Sequence, residues 1–179
     1  MSRAVLCAVV PLLLLHAALA DEAAFSTGPA IEGYGPAANP PTDFAIPADL
    51  VFRHSFDVDK PAKRGKANSS FVAAARFLNM HARAGVKSDR VQLAMIVHGK
   101  AVLDLTHTKR YAKETDTPNA NAELVAALAD EGVRFIVCGQ SAAYHDVTAE
   151  DLLPGVEMAL SAMTAHAVLQ HQGYTLNPF

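Results

Sequence analysis

Val91-Gln92-Leu93-Ala94-Met95-Ile96-Val97-His98 is a nearly unbroken apolar run that stops at Gly99. A strand that is half exposed alternates apolar and polar residues, whereas one buried on both faces does not, so this run reads as an inner strand of a parallel sheet covered by helices. A second run, Val133-Arg134-Phe135-Ile136-Val137-Cys138, lies between Gly132 and Gly139-Gln140-Ser141. It is rich in β-branched and aromatic residues and reads the same way. Upstream, Leu50-Val51-Phe52-Arg53-His54-Ser55-Phe56-Asp57-Val58 supplies a first strand.

Helical patterns fill the intervals. Phe71, Ala74, Ala75, Leu78 and Ala82 share one helical face that ends at Gly85. Residues 101–114 are weakly patterned, with a short helix expected around Val102, Leu103 and Leu105. Asn119 to Asn121 are placed to cap a helix bearing Leu124, Val125 and Leu128, closed by Gly132. Ser141 to Asp146 read as a short polar loop. Thr148 with Asp151 forms a capping-box pattern, and Pro154 suits the first turn of a longer helix whose stripe is Val156, Leu160, Met163 and Ala167. Tyr174-Thr175-Leu176 is a candidate last strand. Strands alternating with helices, joined by right-handed crossovers, make an α/β fold: one three-layer domain with an open, mostly parallel sheet and helices on both faces.

The first twenty residues read differently. Arg3 precedes the apolar stretch Ala4 to Leu15, and Ala18-Leu19-Ala20 precedes Asp21-Glu22. This is the pattern of a secretory signal peptide over 1–20, too short for a membrane span, with cleavage expected after Ala20 and delivery to the periplasm across the inner membrane. No membrane attachment is expected after cleavage. Residues 21–49, with Gly28-Pro29, Gly33-Tyr34-Gly35-Pro36 and Asn39-Pro40-Pro41, read as an extended arm or linker, and residues 50–179 as the domain.

The formal charge is −3, and loss of Arg3 with the leader makes it one more negative, which speaks against nucleic acid as a partner. Of two cysteines, Cys7 would leave with the leader. Cys138 would then have no intramolecular partner, and in an oxidising compartment it must be buried, modified or paired between molecules.

In open parallel sheets, ligands bind beyond the carboxyl ends of the strands, where strand order reverses. The residues expected there are Phe56-Asp57, His98-Gly99-Lys100 and Cys138-Gly139-Gln140-Ser141. An imidazolium at His98 beside the Cys138 thiol would favour the thiolate, and backbone N–H groups around Gly139 would add to that effect. A thiolate there can accept a sulfane sulfur as a persulfide without any cofactor. Gly99, Gly139, Gln140 and Ser141 would line the pocket. The competing reading makes Cys138 simple packing in a binding module, and a third makes it a redox sensor working through an intermolecular disulfide.

The histidines His107, His145, His166 and His171 lack metal-binding spacing, and His54 reads as structural. Gly99-Lys100 is not a phosphate loop, no G-x-G-x-x-G follows a strand, and the cluster Lys60, Lys63, Arg64 and Lys66 reads as a solvated loop. No cofactor and no metal are expected.

Three segments in order, Gly132 to Ser141, Asp151-Leu152-Leu153-Pro154-Gly155-Val156 and Gln172-Gly173-Tyr174, resemble the DsrE/DsrF-like superfamily, and Val97-His98-Gly99 is similar to its second-strand ending. The likeness spans Leu50 to Tyr174. It implies a small parallel α/β domain of DsrE/flavodoxin-like form that assembles into homo-oligomers, trimers or hexamers. In the sulfur-relay branch, it implies a strand-end cysteine, matched here by Cys138, that carries persulfide sulfur between donor and acceptor proteins.

Overall fold

The computed structural model describes residues 24–177, so the expected signal peptide lies outside the described residues. Five strands form one sheet: β1 Phe52–Val58, β2 Val91–Val97, β3 Arg134–Cys138, β4 Glu157–Ala159 and β5 Thr175–Asn177. Their order across the sheet is β4-β3-β2-β1-β5, and every neighbouring pair is parallel. The chain therefore walks outward from β1 to β4 and then crosses back to place β5 on the far side of β1.

That reversal decides where the helices go. Right-handed crossovers in one direction put helices on one face, and the returning crossover puts its helix on the other. The first face carries α1 Ser69–Arg83, a 3-10 helix Gly99–Leu105, α2 Thr108–Thr115 and α3 Ala122–Asp130. Here Phe71, Leu78, Leu105, Leu124 and Leu128 pack on Phe56, Val58, Leu93, Met95, Val97, Phe135 and Val137. Each such side chain, fully removed from water, stabilises the fold by about 1.5–3 kcal/mol. The second face is covered by α5, Ala162–His171, whose Ala165 and Leu169 meet Ala94, Ile96 and Ile136. The three layers and the parallel sheet agree with the sequence reading.

Two elements differ from it. The segment read as a polar loop after Cys138 is a helix, α4 Gly139–Tyr144, which begins directly from the strand and buries Ala142. The expected long helix from Pro154 does not form. The strand β4 occupies its first half, and α5 starts only after Ser161, whose hydroxyl accepts the Thr164 N–H at 3.0 Å. Leu160 and Met163 are 71% and 81% exposed, so the apolar stripe Val156, Leu160, Met163 and Ala167 is not a buried helix face. A three-residue edge strand is too short to display alternation, and its apolar residues mimic a helical period when joined to those of the next helix. The capping box at Thr148 and Asp151 is formed, but it closes a 3-10 turn of Ala149–Asp151. Residues 101–114 hold the 3-10 helix and α2, where a single short helix was expected.

Part of the expected arm lies on the domain itself. Ser26 and Ala37 pair in a short antiparallel bridge, and Ile31 is buried in the main core. The fully buried Asn79 of α1 holds this segment, accepting the Ile31 N–H at 2.8 Å and donating to the carbonyls of Ile31, Tyr34 and Gly35. Gly35 is required there, since a Cβ would stand 2.2 Å from the Arg76 nitrogen.

Candidate functional site

Strand parity builds the site. Side chains alternate between faces along a strand, so in β2 Leu93, Met95 and Val97 face α1 and α3 while Ala94 and Ile96 face α5. The same count places Asp57 of β1, His98 just beyond β2 and Cys138 of β3 on the α5 face. The register pairs Ile96 with Ile136 and Val97 with Val137, so His98 and Cys138 stand on the next row, at the carboxyl edge of the sheet. An open pocket of about 310 Å³ lies there, lined by Asp57, His98, Cys138, Gln140, Ser141, Ser161, Ala162, Met163 and His166.

The Cys138 residue is only 5% exposed and forms part of the pocket wall. Burial pushes its thiol up. Hydrogen bonds from the Ser141 hydroxyl and from the N–H groups of Ser141, Ala162 and Gln140 outweigh burial and hold it below its ordinary value. These donors come from two helix starts. Cys138 is the residue from which α4 departs, and Ala162 is the first residue of α5. The Ser141 oxygen in turn accepts the Gly99 N–H at 2.9 Å, so a chain runs from the end of β2 through Ser141 to the sulfur. Gly99 is left-handed at φ 56°, a conformation that turns its N–H toward Ser141 and favours glycine.

Gly139 is needed for a different reason. An added Cβ would meet the Ala159 carbonyl at 2.7 Å and that of Leu160 at 3.3 Å, so glycine lets β4 close against the start of α4. Gln140 fastens the same contact, donating from Nε2 to the Leu160 carbonyl at 3.2 Å.

His98 shares the pocket with Cys138, but its ring is engaged elsewhere. Its Nε2 lies 3.2 Å from the Asp57 carboxylate, and none of the groups that lower the Cys138 thiol is His98. The Asp57 carboxylate also receives His166 Nε2, at 2.8 Å. Burial pushes Asp57 up, while hydrogen bonds from His166 and His98 and the charges of both rings outweigh it and hold the carboxyl below its usual range. Because a carboxylate only accepts, both rings present Nε2–H to it, and Nδ1 is the second ring nitrogen. His166 Nδ1 is buried without a hydrogen-bond partner.

Of the residues that the sequence points to, Cys138, His98, Gln140 and Ser141 line the pocket, whereas Gly99 and Gly139, expected to line it, only adjoin it through the Ser141 hydroxyl and the Ala159 carbonyl. Sequence reasoning placed Asp57 at the same sheet edge without giving it a role, and it did not assign Ser161, Ala162, Met163 or His166 to the site. Strand-one parity was the available signal for Asp57. His166 was hidden because α5 starts later than the sequence pattern suggests. His54 lies away from the pocket, its Nδ1 2.6 Å from the Thr175 hydroxyl and its ring edge-on to Phe77. Among the described residues no group of three or more His, Cys, Asp or Glu is arranged to hold a metal ion, and no helix is long and apolar enough to cross a membrane.

Known proteins were compared with the chain. A solved structure titled as a protein of unknown function, MTH1491 from Methanobacterium thermoautotrophicum, aligns with a TM-score of 0.48 and 20% identity, covering 70% of this chain and 97% of that one. No curated protein matches. The model of the DsrE/DsrF-like family matches residues 54–178, a span that begins within β1 and takes in the other four strands and the whole pocket, and the chain therefore belongs to the DsrE/DsrF-like family.

Proposed function

We propose that this protein is a carrier of sulfane sulfur that works in the periplasm after export, holding the sulfur as a persulfide on Cys138. The observation that carries this reading is the environment of one atom. The Cys138 sulfur sits where two helix starts and the Ser141 hydroxyl converge as donors, at a pocket, with its thiol held low. A thiolate is the form that attacks a sulfane sulfur, and hydrogen-bond donors aimed at it also suit the terminal anion of a persulfide. A packing cysteine has no use for such donors. The small exposure of Cys138 favours small sulfur compounds or the flexible end of a partner protein. Assembly of several copies, as a trimer or hexamer, belongs to this reading, supported by Met158, Leu160, Met163 and Val168, large apolar side chains exposed along β4, the bend after it and α5 beside the site. The Arg3 to Ala20 pattern supports export.

Intact mass of the mature protein after incubation with polysulfide tests the sulfur step. The expected result is a gain of about 32 mass units per sulfur, reversed by reductant and missing from Cys138→Ser. No adduct on folded wild-type protein whose thiol still alkylates would sink the reading and leave a small-ligand or partner-binding module in its place.

A further inference from the structure

Four titratable groups face the pocket, each from a different element: Asp57 from β1, His98 from the end of β2, Cys138 from β3 and His166 from α5. The neighbouring Gln140, Ser141 and Ser161 are uncharged. Two imidazoles on one carboxylate is more than packing requires, and neither ring is among the groups that lower the thiol. The thiolate is prepared by its own donors. What those donors do not supply is a proton for the sulfur that departs.

The two rings are not equivalent. The His166 side chain is 18% exposed and its Nδ1 is sealed, so it cannot meet a ligand. The His98 side chain is 31% exposed, and it stands on the same row as Cys138, beyond the end of the adjacent parallel strand. Resting on the sulfur-carrier reading, we infer that His98 is the general acid of the transfer step, protonating the leaving thiolate of a small persulfide donor, and that Asp57 and His166 are positioning residues that hold its ring and its charge. In that step the Cys138 thiolate attacks the outer sulfur of the donor R–S–SH. The bond from Cys138 to that sulfur forms, the donor S–S bond breaks, and its electron pair leaves on R–S⁻. The imidazolium of His98 gives its Nδ1 proton to that sulfur, so thiolate, persulfide and imidazolium become Cys138 persulfide, R–SH and neutral imidazole. No oxidant or reductant enters. The Asp57 carboxylate, on Nε2–H, stabilises the imidazolium that must form before each turnover.

Two reagents separate this role from a structural one. Glutathione persulfide leaves behind an alkyl thiolate that benefits from a proton. An aromatic disulfide bearing nitrobenzoate groups is attacked by the same Cys138 thiolate, but the thiolate it releases needs no proton. His98→Gln is expected to slow single-turnover sulfur uptake from glutathione persulfide by about tenfold or more, with the largest loss on the acid side of neutrality, while the aromatic disulfide reacts within about twofold of wild type. Asp57→Asn should show the same split to a smaller degree. Equal slowing with both reagents, or unchanged uptake with a wild-type pH profile in His98→Gln, would overturn the inference. Wild-type protein that reacts with the aromatic disulfide at Cys138 but takes no sulfur would instead overturn the carrier reading itself. Thermal melting of each variant, together with its aromatic-disulfide rate, shows that the fold and the thiol are intact.

Discussion

The sulfur of Cys138 is governed by a balance of two opposing effects. Desolvation alone would hold it as an inert thiol, and the convergent donors reverse that. Ser141 contributes both through its hydroxyl and through its N–H, and only the hydroxyl can be removed by substitution. In Ser141→Ala the thiol should rise toward its ordinary value, because one donor to the charged form is lost while burial is unchanged. The rate of alkylation by iodoacetamide follows the thiolate fraction, so its midpoint should move to higher pH and the rate near neutrality should fall several-fold, on the order expected for one hydrogen bond to a charged group. A midpoint that stays put would mean the backbone donors suffice. Cys138 and Ser141 were both visible in the sequence as members of a strand-end motif. A favoured thiolate was expected there, but chiefly from His98; that the shift comes instead from Ser141, Gln140 and Ala162, the last at the start of α5 far along the chain, was not legible.

At the scale of elements, the contact between β4 and the start of α4 shapes one wall of the pocket. Cys138 pairs with Ala159 in the register, and Gly139 faces the Ala159 carbonyl with no room for a side chain. The Gly139→Ala variant should therefore push β4 outward, costing about 1–3 kcal/mol through steric strain. Urea denaturation is expected to show a lower midpoint, and thiol alkylation should change in the same variant, because Ser161 and Ala162 follow β4 and move with it. Full stability with an unchanged alkylation rate would show that the edge strand yields freely. Here the sequence was read with partial success. Gly139 was placed in the pocket by its position after the strand, while β4 was merged with α5 into one helix. Apolar periodicity cannot divide a three-residue strand from a ten-residue helix when the apolar residues of both, Met158, Leu160, Met163 and Val168, face outward.

At the scale of the whole molecule, the two faces of the sheet are unequally covered. One carries α1 to α4 and a 3-10 helix over the main core, and the other carries α5 over a small cluster. The thinly covered face also holds the site and the exposed apolar side chains beside it. Sedimentation of the mature protein is expected to give a trimer or hexamer, and Leu160→Glu with Val168→Glu should shift it toward monomer by placing charges on that surface. A monomer at all concentrations would remove assembly from the proposed function.

By itself the sequence determined the fold class and the row of residues at the carboxyl edge. Strands buried on both faces must be apolar at every position, and parity then assigns Asp57, His98 and Cys138 to a face once the strand ends are known. What only the tertiary structure decided is which groups pair across that edge. Asp57 takes His98 and His166 from elements 41 and 109 residues away, and the sulfur takes its donors from two helix starts. Such partnerships depend on the direction in which the last crossover returns and on the residue where α5 begins, and local sequence pattern encodes neither.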